Sequence, residues 1–245
     1  MVRSVQSRGS QFCMATQAVL FDAAGTLIKP TNSVGESYAS IAGNYGMRVA
    51  PAELFNRFRI CFDAASPLAF PDAAPDTLSA LEKDWWRRLV RSVFEPFGPF
   101  DRFEAYFDEL FAYFARPESW QLYPEAIETL RALSERGVKL AVVSNFDSRL
   151  CNILAGLGAA SWLDDIFVSS EVGYAKTDRR IFDFVLRSRH LAATDVLHIG
   201  DSVANDIGGA ANAGVKGILV DRKGSHDRDA IPRVANLREI LGHLD

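Results

Sequence analysis

The sequence predicts an α/β protein built on an open, doubly wound parallel sheet, with a helical segment inserted after the first strand. Five short apolar runs lack the polar alternation of a half-exposed strand, which indicates strands covered on both faces. Helical patterns follow most of these runs, and such alternation predicts right-handed strand–helix–strand crossovers. The predicted strands are residues 18–21, 138–143, 166–168, 196–199 and 217–220.

Local signals place the crossover helices between these strands. The helix predicted over residues 124–136 has Pro124 at an early helical position and ends at Gly137. The other predicted crossover helices are residues 148–157, 179–189 and 206–213.

The segment from residue 31 to residue 119 does not show this alternation of strands and helices, because it has almost no strand pattern. Large apolar side chains recur there at helical spacing, which is more typical of a helical core than of a ligand-binding cage. The two stripes are Trp85, Trp86, Leu89, Val90 and Val93, and Phe103, Phe107, Leu110, Phe111 and Phe114. We therefore expect an α/β core over residues 18–30 and 120–245 and a helical insert over residues 31–119.

Composition limits the partners and the compartment. The formal net charge of −4 gives no electrostatic reason to expect nucleic acid or a membrane surface as a partner. No apolar run is long enough to span a bilayer. Three widely spaced cysteines form neither a disulfide framework nor a zinc motif, so we expect a cytoplasmic protein. Residues 1–17 are expected to form a flexible extension, for which organelle targeting stays open.

Polar residues follow three of the predicted strands at the point where each strand ends. Asp22 follows the first strand, Ser144 and Asn145 follow the second, and Asp201 follows the fourth. An aspartate after a strand is often only a turn or cap residue. The carboxyl ends of parallel strands, however, converge on the crevice where ligands bind. The joint pattern therefore predicts one site shared by these side chains.

The block from Asp22 to Leu27 has the features of a nucleophile loop. Gly25 permits a sharp turn, which lets an arriving group lie close to the backbone amides. Thr26 supplies a hydroxyl nearby, which we expect to bind the phosphate group of the substrate. A carboxylate at Asp22 can attack phosphorus or carbon to form a covalent intermediate, which water then hydrolyses.

A lysine and two further acids complete the predicted site. Lys176, taken alone, is typical of a solvated loop lysine, but beside Asp22 it can neutralise charge on the nucleophile and on the substrate. Asp201 and Asp206 stand at a strand end and at a helix start. With Asp22 they offer hard oxygen ligands suited to Mg²⁺.

These four blocks resemble the four motifs of the haloacid dehalogenase superfamily, in order and in strand context. The likeness covers the chain from Ala18 onward and is greatest with the group of haloacid-dehalogenase-like hydrolase domain-containing protein 3, through residues 34–38, 84–86 and 144–147. The resemblance implies a Rossmann-like core, a helical cap over it, Mg²⁺ as cofactor and a small phosphorylated molecule as substrate. The matched positions are Asp22 as nucleophile and metal ligand, Ser144 and Asn145 for the phosphate, Lys176 for charge neutralisation, and Asp201 and Asp206 for the metal.

The sequence departs from the family pattern at Ala24. Phosphatases of this family usually carry an aspartate there, which protonates the leaving oxygen and later activates water. Ala24 can do neither, although its backbone carbonyl can still bind the metal. General acid–base catalysis contributes about 10² to 10⁴ in rate. We therefore expect a Mg²⁺-dependent phosphatase of weak or restricted activity.

Three other functions stay open at this point. Haloacid dehalogenases also have a non-acidic residue at the Ala24 position, but they lack the full acid pair retained here as Asp201 and Asp206. Phosphonoacetaldehyde hydrolases carry alanine there and use a cap lysine as a Schiff base, whereas Lys83 stands in no matching context. The third alternative, which Ala24 favours, is a non-catalytic module that binds a phosphorylated ligand or a protein.

Substrate choice is expected to depend on the part of the insert that faces Asp22. Arg59 is the cation of the insert that we expect to bind the substrate, although a helical arginine is more often a surface residue. The sequence leaves the oligomeric state open.

Overall fold

The computed structural model describes residues 16–226 and 231–244. Its strands are β1 (Ala18–Phe21), β2 (Ile28–Pro30), β3 (Trp120–Leu122), β4 (Lys139–Ser144), β5 (Asp165–Val168), β6 (Val196–Gly200), β7 (Lys216–Val220) and β8 (Arg233–Val234). Six of them form a parallel sheet in the order β5-β4-β1-β6-β7-β8, which confirms the predicted fold class. Strand β8 was not predicted, because a strand of two residues is too short to show a periodic pattern.

Helices cover both faces of this sheet and fill the segment between β2 and β3. They are α1 (Val34–Asn44), α2 (Pro51–Ala64), α3 (Leu78–Phe94), α4 (Phe103–Tyr113), α5 (Ala126–Glu135), α6 (Arg149–Gly156), α7 (Ser169–Val172), α8 (Arg179–Ser188) and α9 (Gly209–Asn212). The helix predicted over residues 206–213 begins earlier, as a π-helical turn over Val203–Gly208 that leads into α9.

Strand β1 lies between β4 and β6, and its side chains pack on both faces of the sheet. Val19 and Phe21 join apolar residues of α5 and α6 on one face. Ala18 and Leu20 join apolar residues of α8 on the other face. Because both faces are buried, the strands show apolar runs in place of alternation.

Between β2 and β3 the described chain contains the helices α1 to α4 and no strand. We call residues 31–119 the helical segment. Its apolar side chains form a cluster of their own, with Trp85, Leu89, Phe103 and Phe107 among the buried members. The antiparallel pair of β2 and β3 joins this segment to the sheet.

A buried carboxylate fixes α3 to the core. Glu82 is 2% exposed and accepts hydrogen bonds from the backbone and hydroxyl of Ser148 at 3.0 and 2.6 Å, and from the hydroxyl of Ser170 at 2.6 Å. One helical turn further, Trp86 donates its indole N–H to Asp147 at 2.6 Å. These bonds hold one face of α3 against the loop after β4 and against α7.

The predicted N-terminal extension falls mostly on residues 1–15, which lie outside the described residues. The backbone N–H of Thr16 donates to Leu244 at 3.2 Å, and that of Gln17 donates to Asp195 at 2.8 Å. Thr16 and Gln17, the last two residues of the predicted extension, are therefore hydrogen-bonded to the α/β core. Within the described chain, no helix combines the length and the apolarity needed to cross a membrane.

Candidate active site

The carboxyl ends of β1, β4 and β6 border one cavity of about 450 Å³. What we call the core wall of this cavity consists of Asp22, Ala24, Ser144, Asn145, Ala175, Lys176, Thr177, Asp201, Ser202, Asn205 and Asp206. What we call the helical wall consists of Phe62, Asp63, Ala65, Ser66, Pro67, Leu68 and Trp85. The structure thus brings together the side chains that follow the predicted strands.

Asp22 directly follows β1 and is almost completely buried. Its Oδ1 accepts hydrogen bonds from the hydroxyl of Ser144 at 3.1 Å and from Nζ of Lys176 at 2.5 Å. Its Oδ2 accepts none from the described residues. Burial raises the pKa of Asp22, and the charge of Lys176 opposes that shift. One carboxylate oxygen is therefore held in place while the other stays available.

Lys176 is not the solvated loop lysine that its sequence position suggests when taken alone. Its side chain is 3% exposed, and Nζ lies 2.5 Å from both Asp22 and Asp206. Burial acts to lower the pKa of Lys176, but Asp206 and Asp22 overcome it and hold the pKa above its usual value. The side chain of Asn145 accepts a hydrogen bond from the backbone N–H of Lys176 at 2.8 Å. Asn145 thus positions the lysine.

Asp206 is held by groups on every side. Its Oδ1 lies 2.5 Å from Lys176 and 3.0 Å from Nε2 of His198, and its Oδ2 accepts from the backbone N–H of Ser202 at 2.9 Å. Burial acts to raise the pKa of Asp206, but Lys176 and His198 hold it well below its usual value. A Cβ added at Gly200 would come within 2.0 Å of this carboxyl group, so only glycine leaves room for it.

Asp201 lies at the open side of the site and packs against the turn after Asp22. Gly25 has a φ of +99°, and a Cβ added there would come within 2.1 Å of the Asp201 carboxylate. Glycine is therefore required at this position for conformation and for space. The protein surrounding Asp201, together with the charges of Asp22 and Asp206, raises its pKa to about 7.

The donor set of this site fits a hard divalent cation. Asp22, Asp201 and Asp206 each offer a carboxylate oxygen within 4.8 Å of the others. The carbonyl oxygen of Ala24 accepts no hydrogen bond from the described residues. Carboxylate and carbonyl oxygens are the ligands that Mg²⁺ prefers in proteins.

Two predicted substrate-binding residues do not reach the cavity. The hydroxyl of Thr26 is completely buried and has no hydrogen-bond partner among the described residues, because a tight turn back to Ala23 directs it into the protein. Arg59 is exposed on α2, one turn before the end of the helix, and only that end lines the cavity. The prediction that these two side chains bind substrate is not supported by their placement.

Other residues of the site were missed by the sequence reasoning. His198 is fully buried within β6 and holds Asp206, and the signal for it was a polar residue inside an apolar strand. Phe62, Asp63 and Trp85 line the cavity from the helical segment. The helical pattern predicted burial of Trp85, but it gave no sign of which helix end approaches the sheet.

Comparison with known sequences agrees with this geometry. A family model described as haloacid dehalogenase-like hydrolase matches residues 16–214. The human haloacid dehalogenase-like hydrolase domain-containing protein 3 is 33% identical over 233 residues, which cover 92% of this chain and 92% of that protein. This relative confirms the group that the sequence motifs resemble.

Solved structures share the fold at lower sequence identity. The HAD-hydrolase YfnB from Bacillus subtilis, solved bound to magnesium, is 18% identical, with a TM-score of 0.72 over 94% of this chain and 99% of that chain. The L-2-haloacid dehalogenase from Xanthobacter autotrophicus is also 18% identical, with a TM-score of 0.70 over the same shares of the two chains. From the family match and the human relative, this chain belongs to the haloacid dehalogenase-like hydrolase family.

Proposed function

We propose that the protein is a Mg²⁺-dependent phosphomonoester hydrolase of restricted activity, with Asp22 as its nucleophile and the helical segment as a cap over the site. The observation that carries the proposal is the state of the Asp22 carboxylate. Ser144 and Lys176 fix one oxygen, and the other faces a cavity that also contains two further acids. Such a held carboxylate is suited to attack at phosphorus.

The reaction has two steps in this proposal. In the first, an oxygen of Asp22 attacks phosphorus, the bond from phosphorus to the leaving oxygen breaks, and that oxygen departs with the electron pair. In the second, water attacks the phosphorus of the aspartyl phosphate, which releases inorganic phosphate and restores Asp22. Lys176 enters the reaction charged, because Asp22 and Asp206 hold its pKa above the usual value. Its charge offsets the negative charge gathered at phosphorus.

Asp22, Asp201 and the carbonyl of Ala24 would hold Mg²⁺ directly. Asp206 is already bonded to Lys176, His198 and Ser202, so it suits a supporting position in the outer shell. When bound, the cation neutralises phosphate oxygens and orients the phosphoryl group.

Ala24 removes the proton donor from this reaction. Its side chain lines the cavity, and the core wall contains no histidine, cysteine or tyrosine within the described chain to replace the missing acid. Of the other carboxyl groups on this wall, Asp201 would be taken up by the cation, and Asp206 is bonded to Lys176 and His198. The leaving oxygen must then depart as an anion, which favours phenolates and acyl phosphates over alkoxides. The water of the second step also lacks a base, so phosphorylated Asp22 is expected to accumulate.

Two related reactions fit the described residues less well. A phosphonatase needs a lysine at the cavity from the cap, but Lys83 is paired with Asp108 at 2.8 Å and does not line the cavity. Dehalogenation needs no acid pair, and here Asp201 and Asp206 are both retained at the cavity.

A non-catalytic module that binds a phosphorylated ligand is the second candidate, and Ala24 is the observation that favours it. The test is hydrolysis of para-nitrophenyl phosphate with Mg²⁺, with Asp22→Asn as the blank for contaminating phosphatases. Turnover that requires both Mg²⁺ and Asp22 supports the hydrolase. Phosphate binding without turnover above the blank supports the binding module.

We also propose a reducing compartment, the cytoplasm, as the site of action. Cys61 and Cys151 are free thiols in the structure, as expected where disulfides do not form. A fluorescent fusion of the full chain should distribute through the cytoplasm. Localisation to an organelle that is lost on removing residues 1–17 would contradict this.

A further inference from the structure

The helical wall of the cavity contains no basic residue. Of the arginines on the neighbouring helices, Arg57 donates to the backbone of Ser92 at 3.1 Å and Arg87 donates to Asp84 at 3.2 Å. The exposed Arg59 does not line the cavity. A second phosphate or a carboxylate on the substrate would therefore meet no cation on this wall. This excludes the usual way of recognising a doubly anionic substrate.

An aromatic surface faces the cavity instead. Phe62 is 41% exposed, and its ring lies edge-on against Trp85 at 6.2 Å between centroids and stacked against Trp86 at 6.3 Å. The indole N–H of Trp85 donates to the backbone of Ser66 at 2.9 Å, which fixes the ring. The exposed ring of Phe62, with the buried Trp85 behind it, suits contact with a planar ring.

Asp63 adjoins this surface at the end of α2. It is exposed, lines the cavity and forms no ion pair with the described residues. The one lysine of the cavity, Lys176, is already bonded to Asp22 and Asp206. Asp63 therefore remains to attract a positive charge and to repel a negative one.

We propose that the preferred substrate is an aryl phosphate whose leaving group carries an ammonium group, with Phe62 contacting the ring and Asp63 contacting the cation. This rests on the proposed function, because the phosphoryl group must lie at Asp22. An aryl leaving group also suits the site chemically, since a phenolate departs without the acid that Ala24 lacks.

The test compares three phosphomonoesters whose phenols have similar pKa values and which differ in charge. The charge meant is that of the para substituent: O-phosphotyramine, with an ammonium group, is the cationic ester. The neutral ester is para-ethylphenyl phosphate, and the anionic ester is the phosphate of para-hydroxyphenylpropionic acid, with a carboxylate. The expected order of kcat/KM for the wild-type protein is cationic, then neutral, then anionic. Asp63→Asn should lower the ratio of cationic to anionic kcat/KM about fivefold. The matched control is Asp72→Asn, an exposed acid of the same segment that does not line the cavity; it should leave the ratio unchanged.

Phe62→Ala separates the ring contact from the charge. It should raise KM for all three esters and leave the ratio unchanged. Binding of the same esters to the Asp22→Asn protein, measured by calorimetry, gives a reading that needs no turnover. If no ester is hydrolysed but binding follows the expected order, the hydrolase proposal fails, and the preference for the ammonium-bearing aryl phosphate stands as a preference in ligand binding. Equal binding of the three esters, no binding at all, or an unchanged ratio in Asp63→Asn overturns the inference.

Discussion

The core wall and the helical wall of the cavity hold their charged groups in different ways. In the core wall, Lys176 lies between Asp22 and Asp206, and all three side chains are buried. In the helical wall, Asp63 is exposed and has no ion-pair partner within the described chain. The core wall thus fixes the charges of Asp22, Lys176 and Asp206 before a substrate arrives, and the helical wall leaves the charge of Asp63 for the substrate to meet.

The difference indicates which wall serves catalysis and which serves the choice of substrate. Charges fixed in a buried setting act strongly on a reacting group and need no rearrangement during the reaction. They also depend on one another, because each would be unstable alone in that setting. Exposed charges contribute little to folding, so the helical wall can vary without loss of the fold. We expect the rate of the chemical steps to depend on the core wall and the choice of substrate to depend on the helical wall.

Lys176→Met should give the largest effect on stability. It leaves Asp22 and Asp206 as uncompensated buried carboxylates, so the free energy of unfolding should fall by about 3–5 kcal/mol. The loss should be smaller at pH 5 than at pH 8, because without Lys176 a folded-state carboxyl pKa rises and protonation removes the unpaired charge. Denaturant unfolding at both pH values measures this.

The control for that experiment is Lys83→Met in the helical segment. Lys83 pairs with Asp108 on the surface, with side chains 38% and 59% exposed. Its removal should cost less than about 1 kcal/mol. Equal losses in the free energy of unfolding for Lys176→Met and Lys83→Met would mean that the buried cluster contributes no more to stability than the surface pair.

The contact between the two regions gives the next largest effect. Glu82→Ala removes the acceptor for Ser148 and Ser170 at the buried face of α3. The free energy of unfolding should fall by about 2 kcal/mol, because buried donors lose their partner. Glu104→Ala is the control, since Glu104 lies on the surface of the same segment, where it pairs with Arg91. A loss at Glu104 as large as that at Glu82 would contradict the role of the buried contact.

Binding of Mg²⁺ should depend on pH through Asp201, whose pKa is raised to about 7. Below pH 7 the carboxyl group of Asp201 holds a proton that must leave before the cation binds, so the affinity for Mg²⁺ should fall about tenfold for each pH unit. Above pH 7 the affinity should level off. Calorimetric titration at pH 6, 7 and 8 measures this. Asp201→Ala should weaken binding far more than Ala24→Gly. A flat affinity from pH 6 to pH 8, or equal binding by wild type and Asp201→Ala, would refute the assignment.

Arg59→Ala should give the smallest effect, because its exposed side chain does not line the cavity. We expect KM and kcat for para-nitrophenyl phosphate within about twofold of wild type. Ser144→Ala on the core wall serves as the comparison, and it should impair turnover. A tenfold rise in KM for Arg59→Ala would show that the arginine reaches the substrate.

The core wall was predictable from the sequence, and the helical wall was not. Asp22, Ser144 and Asp201 follow apolar strands, and the ends of parallel strands meet at one edge. For Asp63 and Trp85, helical spacing shows which side of a helix is buried but not where that helix docks. The direction of the Thr26 hydroxyl depends on the geometry of the turn around Gly25, which a sequence pattern does not specify. Arg59 was predicted at the site because charge alone does not reveal which end of α2 approaches it.

The central claim is that Asp22 catalyses phosphoryl transfer without a proton donor at Ala24. The most direct measurement is the Asp22-dependent kcat/KM for a series of aryl and alkyl phosphates, plotted against the pKa of the leaving group for wild type and Ala24→Asp. The account predicts a steep fall for wild type and a shallower one for Ala24→Asp, with alkyl phosphates gaining up to about 10²-fold. Ala24 lines the cavity, so the new carboxylate has room to reach it. Identical slopes and rates for the two proteins would contradict the account.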